Sequence, residues 1–483
     1  MNNGARESTL KITFIGHASI LIESNNLRIL SDPWWAGPCF GAQWWLYPKP
    51  YLSPIRENRI DYIYISHGHN DHFHPGTLAG LSRSSKVLVS SHLDLAAPIR
   101  QLGFPVLEVS RDQEMELDNG VKCRIMPTHN DDTLMATSDG HETCINLNDA
   151  LHAAPETVQN HFVSLLKRLY PWLDYVFCGY GKASHFPDCY FIANKDGPAT
   201  AARRQRYFNG SWARIVHGLQ PKFAFPFAAD VVLLENELFP LNEAVHNSER
   251  PTDHFLKAYG RSSTQVIDIA PGFVIEDGVI RQHQVRQAVS NELLQSEYKA
   301  EIEKANYYGR VEPEEVRELT ELVKQNVDLC SAYLRTFPED YRCLIKLRNA
   351  SHSIEINKRG EQISVFMIST DRAIKTDYDL VYTTRASYLK KSLTTPYGNE
   401  ILFVGSGGIF EYINRSKLRS ALHREIVAIV KKQERCPQPR YGPSGRFVFG
   451  AKMVVKKMLR LMPEDLYDLE KWTVYRNVQR SPQ

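Results

Sequence analysis

Ser66-His67-Gly68-His69-Asn70-Asp71-His72 is the stretch that decides both the fold and the chemistry. It leaves Tyr62-Ile-Tyr-Ile-Ser66, an almost wholly apolar run of the kind shown by a strand covered on both faces. Three histidines and an aspartate within six residues do little for packing. Neutral imidazole with carboxylate is instead the donor set that first-row divalent metals take. On a tight loop His67 and His69 project to one side, while Asp71 and His72 serve a neighbouring position. One loop then seeds two metal sites.

Around this loop the first ~280 residues alternate short strands and helices. Leu10, Ile12 and Phe14 alternate with polar neighbours, followed by Ile20 and Ile22, then Leu27 and Ile29 across an Asn25-Asn26 turn, which predicts a strand meander. Gly76-Thr-Leu-Ala-Gly-Leu81 opens a helix, and the recurring order of strand, polar loop and helix predicts an α/β layered domain over 1–286. Over 287–340 the period becomes helical. Glu312-Pro313-Glu314 starts a helix whose stripe is Val316, Leu319, Leu322, Val323, Val327, Cys330 and Leu334. Period two returns from Cys343, with a turn at Lys358-Arg359-Gly360-Glu361, and predicts a smaller α+β domain over 341–430 before a tail over 431–483.

The 483 residues, 43% hydrophobic and 23% charged, predict a globular chain of two or three domains. No apolar run reaches the length of a membrane span, and the Met-Asn-Asn-Gly-Ala-Arg-Glu start is not a signal peptide. The eight cysteines have no paired spacing, so reduced thiols and a cytoplasmic location are expected. Net charge is +3, yet from Glu411 onward 16 Lys and Arg face 7 Asp and Glu. Aromatics do not interleave with these bases as in a nucleic-acid platform, and no nucleic-acid partner is expected.

The His67–His72 loop matches the H-x-H-x-D-H signature of the metallo-β-lactamase superfamily. Ile15-Gly16-His17-Ala18-Ser19 with Leu30-Ser31-Asp32-Pro33-Trp34 resembles the branch of UlaG-type lactonases and N-acyl-phosphatidylethanolamine phospholipases D. The stretch from Asp32 to Leu46, Asp61 to His67, and Leu219-Gln-Pro-Lys222 with Pro226-Phe-Ala228 resemble the catalytic part of CMP-N-acetylneuraminate hydroxylase. The resemblance implies an αββα sandwich with a helical connector and the smaller domain, which itself resembles a sterol-carrier-like module. It implies His129 as the third histidine of the first site and Asp149 as the bridging carboxylate.

Two departures follow. The hydrolases close the second site with a histidine after a late strand, whereas Phe225-Pro-Phe-Ala-Ala-Asp230 and the residues up to Glu235 contain none. Glu235 is the favoured substitute, ahead of Asp230 and His246, and His185 and His17 are expected near substrate or behind the ligands. More carboxylate and less imidazole shifts preference from zinc toward iron or manganese. The sequence also has no Cys-x-His pair, so it binds no Rieske cluster of its own. The expectation is a dinuclear, iron-favouring monooxygenase that oxidises a small metabolite with electrons from a separate protein or from the substrate itself. The alternative is a hydrolase of a lactone, phosphodiester or amide that uses metal-bound hydroxide.

Overall fold

The computed structural model describes residues 10–40, 44–57, 59–110, 113–128, 132–154, 156–181, 190–192, 197–329, 338–395 and 400–414. The statements below concern these residues. His129, His185 and nearly all of the basic tail lie outside them.

The predicted meander forms as Lys11–Gly16, Ser19–Ser24 and Leu27–Ser31. Asn25 and Asn26 both take positive φ, which matches the right-handed twist of a two-residue hairpin. These strands lie in an eight-stranded sheet, antiparallel as far as Leu27–Ser31 and then parallel through Tyr62–Tyr64, Lys86–Ser90 and Val106–Val109. A seven-stranded sheet repeats the scheme. It is antiparallel from Glu114–Glu116 to Thr143–Asn148, then parallel through Tyr175–Gly179, Phe223–Phe227 and Gln265–Val266.

The two sheets face each other across Ile12, Phe14, Ile22, Tyr64, Ile125, Phe177 and Phe225. Outer faces are covered by helices: Ile63, Val87 and Val89 pack with Leu78 and Ile99, and Ile145, Val176 and Ala224 pack with Trp212, Val216 and Phe255. This is the αββα sandwich, and the strand Tyr62–Tyr64 that leads into the His67–His72 loop lies inside its eight-stranded sheet.

The connector contains Asn291–Glu297, Lys299–Asn306 and the expected helix Pro313–Leu329, whose Val316, Leu319, Val323 and Val327 are buried. Cys330 and Leu334 lie outside the described residues. The C-terminal hairpin His352–Arg359 and Gln362–Ser369 turns at Gly360, as expected.

The C-terminal sheet does not respect the linear boundary at 341. Tyr190–Ile192, contributed from between two strands of the sandwich, pairs in parallel with Gly408–Tyr412 at its edge. A further apolar cluster joins Trp34, Phe40, Trp44, Leu233 and Leu241 of the sandwich side to Val316, Tyr382, Leu402 and Phe410. Trp34 and Trp44 are thus core residues of this junction. No helix among the described residues is long and apolar enough to cross a membrane.

Candidate metal centre

The strand Tyr62–Tyr64 delivers Ser66 into a tight turn, where His72 N and Phe73 N both donate to the His69 carbonyl at 3.0 and 2.7 Å. The turn folds the loop back on itself, and its side chains converge. Nε2 of His67 lies 2.8 Å from Nδ1 of His69 and 3.7 Å from a carboxylate oxygen of Asp132. Nε2 of His72 lies 3.4 Å from oxygens of both Asp71 and Asp149, and Nε2 of His17 lies 3.1 Å from Asp71. Three overlapping donor sets result: His67, His69 and Asp132; His67, His72 and Asp149; His17, Asp71 and His72. Within each, the donor atoms lie within 4.8 Å of one another.

Asp32 sets the ring orientations from below. It sits at the end of Leu27–Ser31 with φ of 37° and accepts from Ser66 N at 2.8 Å and Ser66 Oγ at 2.7 Å. Nδ1 of His72 donates to it at 2.9 Å, and the Asn148 amide donates to it as well. Because Ser66 Oγ spends its proton on Asp32, it accepts from His67 Nδ1 at 3.0 Å. Both imidazoles therefore turn Nε2 toward the cluster. A ligating histidine is commonly held in this way, through its other nitrogen.

The donors fit divalent ions. Nε2 of His72, Nδ1 of His17 and Oδ1 of Asp149 are buried without a hydrogen-bond partner among the described residues. Orphaned polar atoms of this kind are costly unless an ion or water serves them. Burial alone would depress the His72 imidazole, but Asp71 and Asp149 hold it well above the ordinary histidine value. Asp71 shows the reverse, its carboxyl held well below the usual range by His72 and His17 against its burial. Such packing of charge favours a cation between the groups.

Asp149 follows Thr143–Asn148, where Asn148 at φ 51° turns the chain. Gly179 lies against this turn: a Cβ there would come within 2.6 Å of the Asn148 carbonyl oxygen and 3.1 Å of Asp149 Oδ1. Asn70, between His69 and Asp71 in the loop, also has a task. Its Oδ1 accepts from Phe40 N at 2.8 Å, and its carbonyl accepts from Cys39 Sγ at 3.1 Å. His74 is structural, since its Nδ1 accepts from Thr77 N at the start of Pro75–Ala79.

The structure thus brings His17, His67, His69, Asp71, His72 and Asp149 together and adds Asp132, three residues beyond His129. It does not bring in Glu235, the favoured substitute for the missing histidine. That carboxylate is buried between Arg348 at 3.4 Å and Arg385 at 3.2 Å, both from the C-terminal side, and is absent from the donor sets. Asp230 is likewise committed, to Arg286 at 2.5 Å, Tyr180 at 2.8 Å and Arg250 at 3.6 Å. His246 donates from Nε2 to the Val231 carbonyl at 2.7 Å and accepts at Nδ1 from Arg286 at 2.9 Å. It faces the same cavity as Asp71 and Asp149, a space of about 40 Å³ with Val231, Leu241 and Asn242 on its walls.

Residues 11–144 match the family model described as the beta-lactamase superfamily domain. A Mycobacterium tuberculosis protein named as a Rieske 2Fe-2S iron-sulfur protein is 24% identical over 255 residues, 48% of this chain and 46% of that protein. The chain therefore spans about half the length of the curated relatives it matches there. The CMP-N-acetylneuraminic acid hydroxylase of Asterias rubens is 41% identical over 75 residues, 15% of this chain and 12% of that one. Among solved structures, CmlA, a diiron beta-hydroxylase from Streptomyces venezuelae, aligns at 18% identity with a TM-score of 0.36, covering 57% of this chain and 55% of its own. Igni18, a metallo hydrolase from Ignicoccus hospitalis, aligns at 15% with a TM-score of 0.37, covering 56% and 98%. Residues 11–144 thus match the beta-lactamase superfamily domain, and a stretch of 75 residues is similar to the CMP-N-acetylneuraminic acid hydroxylases.

Proposed function

We propose that the chain is a dinuclear metalloenzyme, iron-preferring, that oxidises a small metabolite with dioxygen and electrons from another protein. The observation that carries this reading is the donor balance. Asp132 joins His67 and His69, and Asp71 and Asp149 flank His72, so three carboxylates stand beside four imidazoles. Hard anionic donors of this kind favour iron over zinc. His67, His69 and Asp132 would hold one ion, with His17, Asp71 and His72 holding the other and Asp149 between them. The bound ions would supply Lewis acidity and, as iron, redox chemistry with dioxygen. The chain's own contribution is to fix the donors through Asp32 and Ser66 and to offer a cavity that reaches Asp71 and Asp149. A cavity of about 40 Å³ admits the reacting end of a substrate or a few waters. Its walls combine apolar Val231 and Leu241 with Asn242 and His246, which offer polar contacts. The Rieske name of the mycobacterial relative supports an iron–sulfur electron donor.

The test is to reconstitute metal-free protein with iron or zinc and follow oxygen uptake and product formation on a panel of small metabolites. Turnover that needs iron, dioxygen and a reductant supports the oxygenase. Zinc-supported cleavage of ester or phosphodiester probes without dioxygen would overturn it in favour of the hydrolase, which the same ligands serve.

A further inference from the structure

A strand at the margin of a sheet offers a row of unpaired N–H and C=O groups. Folds blunt such margins with charge, proline, brevity or a bulge. Among the described residues, this fold does so at five of the six margins of its three large sheets. Val106–Val109 and Val279–Gln282 have four residues each and carry Glu108 and Arg281. Glu114–Glu116 has three residues with an acid at both ends, and Gln265–Val266 and Tyr190–Ile192 have only two and three.

The sixth margin lacks every one of these devices. Gln362-Ile-Ser-Val-Phe-Met-Ile-Ser369 closes the C-terminal sheet with eight residues and no charge, proline or glycine. All eight pair in unbroken register with His352–Arg359, from Gln362 opposite Arg359 to Ser369 opposite His352. No bulge twists the strand away from a newcomer. Its other side has no strand partner among the described residues. The apolar cover is unfinished there too. Ile363, Val365 and Met367 are only partly buried against the cluster that contains Val316, Leu319 and Val323. Phe366, which alternation places on the opposite face, is 39% exposed.

We propose that this edge pairs with the same edge of a second copy of the chain, antiparallel about a two-fold axis normal to the sheet. The two C-terminal sheets then become one continuous sheet. In this symmetry residues that meet share a face, so Ile363, Val365 and Met367 meet the same three of the copy, and Ser364, Phe366 and Ile368 meet theirs. Apolar and small polar side chains face one another, and the strand brings no charge against a like charge. The flanks agree. Arg359 and Glu361 stand at one end of the strand and Asp371 and Arg372 at the other, so the two ends that meet are each balanced in charge. Identical edges satisfy each other's backbone groups at once, and a two-fold pair closes with neither edge left open.

The test is sedimentation of the full chain from micromolar to sub-millimolar concentration, with hydrogen exchange followed over 362–369. It compares wild type, Phe366→Lys and Ser364→Lys. The wild type should dimerise as concentration rises and gain exchange protection over 362–369 as it does so. Each lysine brings like charges together across the pair and should weaken association at least about tenfold while the melting temperature stays at the wild-type value. A wild type that stays monomeric throughout would overturn the proposal, whether 362–369 is open or protected by another segment of the chain. A dimer that a folded lysine variant retains at wild-type affinity would overturn it as well. Should neither variant fold, the wild type decides: protection over 362–369 that rises with dimer formation supports the pairing, and a dimer without it overturns the pairing.

Discussion

Nδ1 of His72 lies 2.9 Å from Oδ2 of Asp32, and the same aspartate accepts two further bonds from Ser66. One buried carboxylate thereby orients two metal-facing imidazoles. Asp32→Asn keeps the shape but removes an acceptor from a site crowded with donors. It should weaken metal binding about 10–100-fold, read by chelator competition, with both sites affected. Unchanged affinity would place the orienting role elsewhere.

Glu235 separates a structural role from a ligand role. It sits 2% exposed between Arg348 and Arg385, and burial pushes its carboxyl up despite both guanidinium groups. Glu235→Gln removes the counter-charge of Arg385, while Arg348 keeps Glu237, and should cost about 3 kcal/mol in denaturant unfolding. Metal content should be unchanged. Loss of one equivalent of metal from a folded Glu235→Gln would restore it as a ligand.

His246 gives a pH signature. Burial, then Arg286, pushes its imidazole from 6.5 down to about 4, because a second proton on Nδ1 would face the guanidinium. Asp230 and the Val231 carbonyl pull the other way, and Arg250 adds to the push. The folded state thus refuses a proton that the unfolded chain accepts. This stability contribution is full above pH 6.5 and is lost as pH falls toward 4. Comparing urea midpoints of wild type and His246→Gln across that window should show a flatter profile in the variant. Parallel profiles would contradict the assignment.

Gly179 guards the turn that carries Asp149. In Gly179→Ala the added methyl would meet the Asn148 carbonyl oxygen at 2.6 Å, and backbone must yield. The variant should lose stability by about 1–3 kcal/mol and bind metal less tightly, measured by melting and by metal content together.

The parts of this fold that were legible in the sequence are those written in local pattern. Period two marked the meander and the Lys358–Glu361 hairpin, the stripe from Val316 marked its helix, and the loop showed its donors by residue type alone. Asp32, by contrast, reads as a strand-end residue until the fold sets it under Ser66, 34 positions away. Asp132 went unread because its neighbour in sequence His129, which lies outside the described residues, is a better ligand by type. Glu235 looked unattached because Arg348 and Arg385 lie 113 and 150 residues further on. Tyr190–Ile192 is too short to show a period, and its partner strand lies in another domain of the sequence. In each case a contact between distant segments decides the outcome, and no local spacing encodes it.

The central claim is that one bridging aspartate and one loop hold two metal ions. Metal per chain, counted by elemental analysis of wild type and Asp149→Ala loaded in parallel, tests it most directly. Two equivalents in the wild type with loss from both sites in Asp149→Ala is the predicted result. Two equivalents retained in a folded Asp149→Ala would contradict it.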